Sequence, residues 1–121
     1  MTSPPALLVA CLCAEWCGTC RDYRAAFAEL QQALPRHRYR WIDVEDEAEL
    51  IGDVDIETFP TLLVTQAGRV LFAGPVLPRA ADAQRLIESL ADTLLAGRQP
   101  AALQLPADQL DAFGELAQRL G

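Results

Sequence analysis

The stretch Ala14-Glu15-Trp16-Cys17-Gly18-Thr19-Cys20 decides the reading of this sequence. Upstream of it, Leu7 to Cys13 is an unbroken apolar run, the pattern of a parallel strand covered on both faces. Downstream, Cys20, Tyr23, Phe27, Leu30 and Leu34 recur at steps of three and four, with Arg21, Asp22, Arg24, Glu29, Gln31 and Gln32 between them. That spacing predicts an amphipathic helix over 18–33, closed by Pro35. Cys17 therefore falls at a helix start, where unsatisfied N–H groups and the macrodipole favour an anion. A thiolate is the attacking species in disulfide exchange. Cys20 lies on the first turn and points toward the core. The spacing gives one exposed, activated nucleophile and one sheltered resolving thiol.

The rest of the chain follows in short elements. Tyr39–Val44 reads as a second strand, Glu47–Ile51 as a helical turn, and Phe59-Pro60-Thr61 opens a third strand, Thr61–Thr65. Gln66–Arg69 is a turn into a fourth strand, Val70–Ala73, forming a hairpin. Pro78 introduces a helix with Ala83, Leu86, Ile87, Leu90 and Leu94 on one face. After the linker Gly97-Arg98-Gln99-Pro100, a last helix begins near Pro106 and groups Leu110, Phe113, Leu116 and Leu120. The predicted order is β-α-β-α-β-β-α-α, an α/β chain with a core over 1–96 and a linker plus extra helix over 97–121. The expectation is that this helix packs on the core within a single domain.

Those two motifs, the cysteine stretch and Phe59-Pro60-Thr61, resemble the thioredoxin family in order and spacing, over roughly residues 6–96. The resemblance implies a thioredoxin-like fold, here shortened at the N-terminus to about four strands in a mixed sheet, with an additional C-terminal helix. It implies that Cys17 and Cys20 are the catalytic pair and form the redox-active disulfide, Cys17 attacking and Cys20 resolving. It implies a cis bond before Pro60, and that Trp16, Gly18, Thr19, Phe59, Pro60 and Gly74 face the substrate. It further implies protein disulfide substrates and a reductase or small-thiol electron donor, with no built-in cofactor and no metal. Departures stand out. Cys11 occupies the place of the family's buried aspartate, Trp41 that of its accompanying lysine, and Ala25 that of a helix proline. Thr19 replaces a rigid proline between the cysteines and points to a less strongly reducing pair.

Composition narrows the rest. The chain has 121 residues, with 10 basic against 17 acidic side chains for a net charge of −7. That balance excludes a generic electrostatic grip on nucleic acid or anionic lipid. Every basic residue is arginine, which removes Schiff-base and Walker-type lysine chemistry. No basic residue precedes Arg21 and the apolar run before Cys11 is only five residues long, so neither a signal peptide nor a membrane span is expected. A cytoplasmic monomer is the expectation.

Four cysteines within ten residues, Cys11, Cys13, Cys17 and Cys20, point to redox or metal chemistry rather than a disulfide scaffold. Cys11 and Cys13 share one strand face and read as small apolar packing. Their functional reading is a third thiol beneath Cys20 that traps or relays oxidation. A Cys11–Cys13 bridge is disfavoured by strand geometry, and a four-thiolate zinc or iron–sulfur site would need both to leave the strand. A non-catalytic binding or assembly module is the other alternative to an oxidoreductase. His37, the sole histidine, falls about 20 Å from Cys17 at the other end of the sheet, in a surface loop. That excludes a Cys–His hydrolase. The eight acidic residues from Asp43 to Glu57 read as a solvated connection, or as an acidic rim that steers basic partners. They do not make a calcium loop, because Ala48 stands at the turn-glycine position and Val54 at the bidentate position.

Overall fold

The computed structural model describes residues 6–121, so the targeting reading of the first five residues lies outside the described part. The elements are β1 (Leu8–Cys13), α1 (Gly18–Ala33), β2 (Arg38–Asp43), α2 (Ala48–Ile51), β3 (Thr61–Gln66), β4 (Arg69–Pro75), α3 (Ala80–Leu95) and α4 (Ala107–Leu120). They form one mixed four-stranded sheet in the order β2-β1-β3-β4. β1 runs parallel to β2 and antiparallel to β3, and β3 and β4 make an antiparallel hairpin. β1 is central and buried along its whole length, which is what its unbroken apolar run requires.

Alternation along β1 feeds two cores. Leu7, Val9, Cys11 and Cys13 face α1 and α3, joining Cys20, Tyr23, Phe27, Leu30, Ala83 and Ile87. Ala10 and Leu12 face the other way, against Ile42, Leu63, Phe113 and Leu116. α1 presents Cys20, Tyr23, Phe27 and Leu30 inward and ends at Leu34, ahead of Pro35. The final helix lies against β3, β4 and α2.

Three local expectations change. β4 runs on to Pro75, which pairs with Thr61. A proline is tolerated there because β4 is an edge strand whose outer side needs no donor. On α4 the inward residues are Ala112, Phe113, Leu116 and Ala117, while Leu110 is 39% exposed. Small alanines let the helix lie close to the sheet, and that rotation carries Leu110 outward. His37 is buried rather than on the surface, and its Nδ1 accepts the Leu7 N–H at 3.0 Å. That bond gives the backbone at the start of β1 a partner it would otherwise lack.

Candidate active site

Cys17 caps α1 from an extended backbone conformation, with φ −81° and ψ 121°. Its N–H donates to the Ala14 carbonyl at 3.0 Å, and its own carbonyl accepts the Arg21 N–H at 3.1 Å. These bonds fold the loop after β1 into the helix start and leave the Cys17 side chain half-buried. No acidic residue occupies the first turn of α1 itself, whereas Glu15, Asp43 and Glu45 gather at the loop that leads into it. Gly18 and Thr19 are exposed on that turn. A Cβ at Gly18 would meet nothing nearer than the Arg21 guanidinium, at 3.8 Å, so space alone does not demand glycine. Cys20, the third helical residue, is buried.

The loop is anchored from β2. Asp43 Oδ2 accepts the Glu15 N–H at 2.9 Å, while its Oδ1 accepts Glu45 N–H at 2.9 Å and Asp46 N–H at 3.0 Å. The Asp46 and Glu45 N–H bonds hold the Asp43 carboxyl below the usual range, the first of them being the largest cause. Trp16 donates its indole N–H to Glu45 and stays 64% exposed. Its ring meets Phe59 edge-to-face, centroids 5.8 Å apart. The Phe59–Pro60 bond is cis, and Pro60 is buried with its carbonyl accepting the Val76 N–H at 3.1 Å. The cysteine loop and the proline loop therefore meet through Trp16 and Phe59. Gly74 sits on β4 opposite Leu62. It lines a cavity of about 370 Å³ together with Thr58, Thr61, Pro106 and Phe113, on the α4 side of the proline loop.

The disulfide in this structure is not the expected Cys17–Cys20 pair. Cys13 and Cys20 are joined, with Cα atoms 5.8 Å apart, and Cys17 is a free thiol. The physical reason is placement: Cys13 ends β1 on the face that α1 covers, and Cys20 turns inward onto it. A separation of 5.8 Å lies well within disulfide reach. With both sulfurs engaged, the four-thiolate arrangement is not assembled here. Cys11 lies one step deeper, its thiol donating to Cys13 Sγ across 3.8 Å without a bond. Burial pushes the Cys11 thiol up to about 12, against a smaller opposing pull from Arg24. Beside it, burial raises the Tyr23 phenol, with further contributions from Cys11 and Asp82. The Tyr23 hydroxyl has no hydrogen-bond partner among the described residues.

The structure takes the alternative reading of Cys13, a third thiol beneath Cys20, over apolar packing, while Asp43 and Glu45 as the supports of the loop were not foreseen. The signal for Asp43 was present: an aspartate ending a strand just before a turn bonds the backbone ahead of it. The carboxylates of Glu15, Asp43 and Asp46 also lie within 4.8 Å of one another, a grouping common among exposed acidic residues that hold no cation.

The thioredoxin family model matches residues 2–91. The chain belongs to the thioredoxin family. Thioredoxin H1 of Arabidopsis thaliana is 31% identical over 65 residues, covering 54% of this chain and 57% of that protein. Thioredoxin H-type 2 of Nicotiana tabacum is 28% identical over 65 residues, again 54% of this chain and 55% of the relative. The chain thus spans little more than half the length of these thioredoxins. In three dimensions it resembles the germline-specific thioredoxin Deadhead of Drosophila melanogaster, with TM-score 0.62 and 21% identity over 70% of this chain and 81% of that one. Mitochondrial thioredoxin 3 of Saccharomyces cerevisiae gives TM-score 0.61 and 21% identity over 70% and 79% of the two chains. At such identities the structural likeness carries the fold.

Proposed function

We propose that this thioredoxin-family chain is a thiol–disulfide oxidoreductase acting on protein disulfides through Cys17 and Cys20. The observation that carries the reading is the half-exposed Cys17 thiol at the N-terminus of α1, three residues before a buried cysteine. Cys17, as thiolate, attacks one sulfur of a substrate disulfide and releases the other as a thiolate. Cys20, also as thiolate, then attacks Cys17 Sγ, forming Cys17–Cys20 and freeing the substrate's second thiol. Two electrons pass to the substrate, and a reductase or small thiol returns them. Exchange of this kind needs Cys20 released from Cys13 first. Trp16 and Phe59 supply the apolar edge against which an extended substrate lies, with main-chain pairing beside Phe59; Gly74 lines the separate cavity on the α4 side and is not part of that edge. The cytoplasm is part of the reading, supported by the clustering of the cysteines.

One observation favours a binding module instead: with Cys20 engaged by Cys13, Cys17 stands alone. Reduction of insulin disulfides by the thiol-regenerated protein separates the two. An oxidoreductase turns over, and Cys17→Ala falls to the level of the protein-free control. Equal turnover by Cys17→Ala, or none by either protein, rules against the proposal.

A further inference from the structure

The Cys13–Cys20 bond is not the pair that substrate exchange uses, yet it occupies the resolving sulfur. Cys13 lies at the end of β1 where the active-site loop begins, and Cys20 is the third residue of α1. Both are buried, at 0% and 1% exposure, whereas Cys17 reaches solvent. An external disulfide therefore has access to Cys17 but to neither of the bonded sulfurs. Cys20 stands between Cys17, at the start of the same helical turn, and Cys13, to which it is bonded.

We propose that Cys13 is a third redox residue of the site, taking Cys20 from Cys17 so that oxidation is stored in the core and Cys17 is returned as a free thiol. This rests on the oxidoreductase reading above. The step is an internal exchange. The Cys13 thiolate attacks Cys20 Sγ, the Cys13–Cys20 bond forms and the Cys17–Cys20 bond breaks. Cys17 leaves as thiolate and takes up the proton that Cys13 surrendered. No electrons are gained or lost, because two have already gone to the substrate. Cys11 stays out of the exchange: it lies two positions from Cys13 on the same extended strand, where a bridge is disfavoured. The functional consequence is a second, different encounter. The freed Cys17 attacks another substrate disulfide, and the resulting mixed disulfide cannot be resolved by Cys20 while Cys13 holds it. The site then captures a partner until an external thiol releases it.

Glu15 makes the proposal readable, because cleavage after Glu15 and Arg21 separates Cys11 and Cys13 from Cys17 and Cys20. Fully reduced protein is mixed with one equivalent of oxidised glutathione, acid-quenched over time, alkylated and digested. The expected course is a bond within peptide 16–21 first. A cross-link between peptides 1–15 and 16–21 then replaces it, with Cys17 alkylated, at a rate independent of glutathione concentration. Cys13→Ala and the size-conserving Cys13→Ser lose the cross-link, while Cys11→Ala keeps it. In Cys17→Ala the cross-link forms roughly tenfold more slowly or worse, since the buried sulfurs must meet the oxidant directly. A wild-type course that stops at the bond within 16–21, with insulin still reduced, sinks the relay and leaves the oxidoreductase reading standing. A cross-link that survives in Cys13→Ser, or forms at the wild-type rate in Cys17→Ala, also sinks it. Absence of any bond to Cys17 together with absence of insulin reduction overturns the oxidoreductase reading itself.

Discussion

The two faces of the sheet are built from the same strands but from different chemistry. Facing α1 and α3, β1 places two cysteines among aromatic rings: Phe27 stands edge-on to both Tyr39 and Trp41, and Arg24 lies 4.4 Å over the Trp41 ring. Facing α4, the same strand places Ala10 and Leu12 in an aliphatic core with Phe113 as its large ring. The first face carries the sulfurs and every thiol or phenol whose ionisation burial suppresses. The second carries none of them. Its contribution to the site is indirect, through α4. Gln109 Oε1 accepts the Asp55 N–H at 2.8 Å and Arg119 donates to the Leu50 carbonyl at 3.0 Å, fixing both ends of the segment that leads to the proline loop. One face does chemistry and the other holds it in place.

The strongest attack on that division is removal of residues 101–121. The truncation strips Phe113 and Leu116 from a closed core, each worth about 1.5–3 kcal/mol, and uncovers the sheet beneath them. The expected result is a chain without a cooperative thermal transition, read by circular dichroism. Phe113→Ala is the graded version and should cost about 3–5 kcal/mol. In molecules still folded, its Cys17 alkylation rate should stay within about twofold of wild type, the α4 face having no thiol-bearing contact. A tenfold change in that rate with the fold retained would break the distinction between the faces.

Alkaline pH sharpens the comparison from the other side. Cys11 is raised from 9.0 to about 12 in the folded protein, so its contribution is intact below about pH 9 and is lost as pH rises toward 12. One such group costs up to about 1.4 kcal/mol of stability per pH unit over that window. Tyr39, also raised to about 12 by burial, adds to the slope above pH 10. Urea unfolding under argon at pH 8, 9, 10 and 11 should show this decline, with a shallower slope in Cys11→Ala. An identical slope in the variant would mean that the cysteine core takes up charge without resistance.

On the acid side the sensitive group is His37, lowered first by burial and then by the Arg36 charge. Its contribution is present above about pH 6.5 and disappears as pH falls through the folded value. Protonation turns Nδ1 into a donor facing the Leu7 N–H, which costs about 1–3 kcal/mol in lost satisfaction. His37→Asn keeps an acceptor at that place and does not titrate. It should match wild type at pH 7.5 and lose less stability between pH 6.5 and 5; a parallel decline would locate the acid sensitivity elsewhere.

The outcome for particular residues shows which parts of this molecule local pattern encodes. Every element was legible because each has a clear period: the apolar run of β1, the 3–4 spacing of Cys20, Tyr23, Phe27 and Leu30, the turn at Ala67-Gly68. The meeting of the cysteine and proline loops was legible through the family resemblance. What escaped depends on distances across elements. Cys13 and Cys20 differ by seven positions, and it is the packing of α1 on the end of β1 that brings their Cα atoms to 5.8 Å. Leu110 belonged to a plausible helical stripe, but Ala112 and Ala117 allow closer packing and set the rotation. His37 does lie in the loop before β2, but it looked exposed because nothing local reveals the backbone N–H that it serves.

Asp43, the last residue of the edge strand β2, gives the smallest and most site-specific prediction. Its carboxylate gathers three backbone N–H groups, one of them from Glu15 next to Trp16 and Cys17. Asn in its place offers one acceptor oxygen and one amide nitrogen, so one side of the cradle is lost whichever way the amide turns. Being partly exposed, the site lets water replace much of that bond, and Asp43→Asn should cost only about 1 kcal/mol. The local effect should be clearer than the global one. Freed at Glu15, the loop carries Trp16 away from Phe59, so Trp16 should become more easily quenched by acrylamide while the melting temperature moves by a few degrees. The sign with pH is set by the lowered Asp43 pKa: its contribution is present above about pH 3.8 and is lost as pH falls through the folded value. Wild type should therefore approach the quenching of Asp43→Asn only in that acid range. Equal quenching of the two proteins at pH 7 would mean that Glu45 and Phe59 hold Trp16 without help from the end of β2.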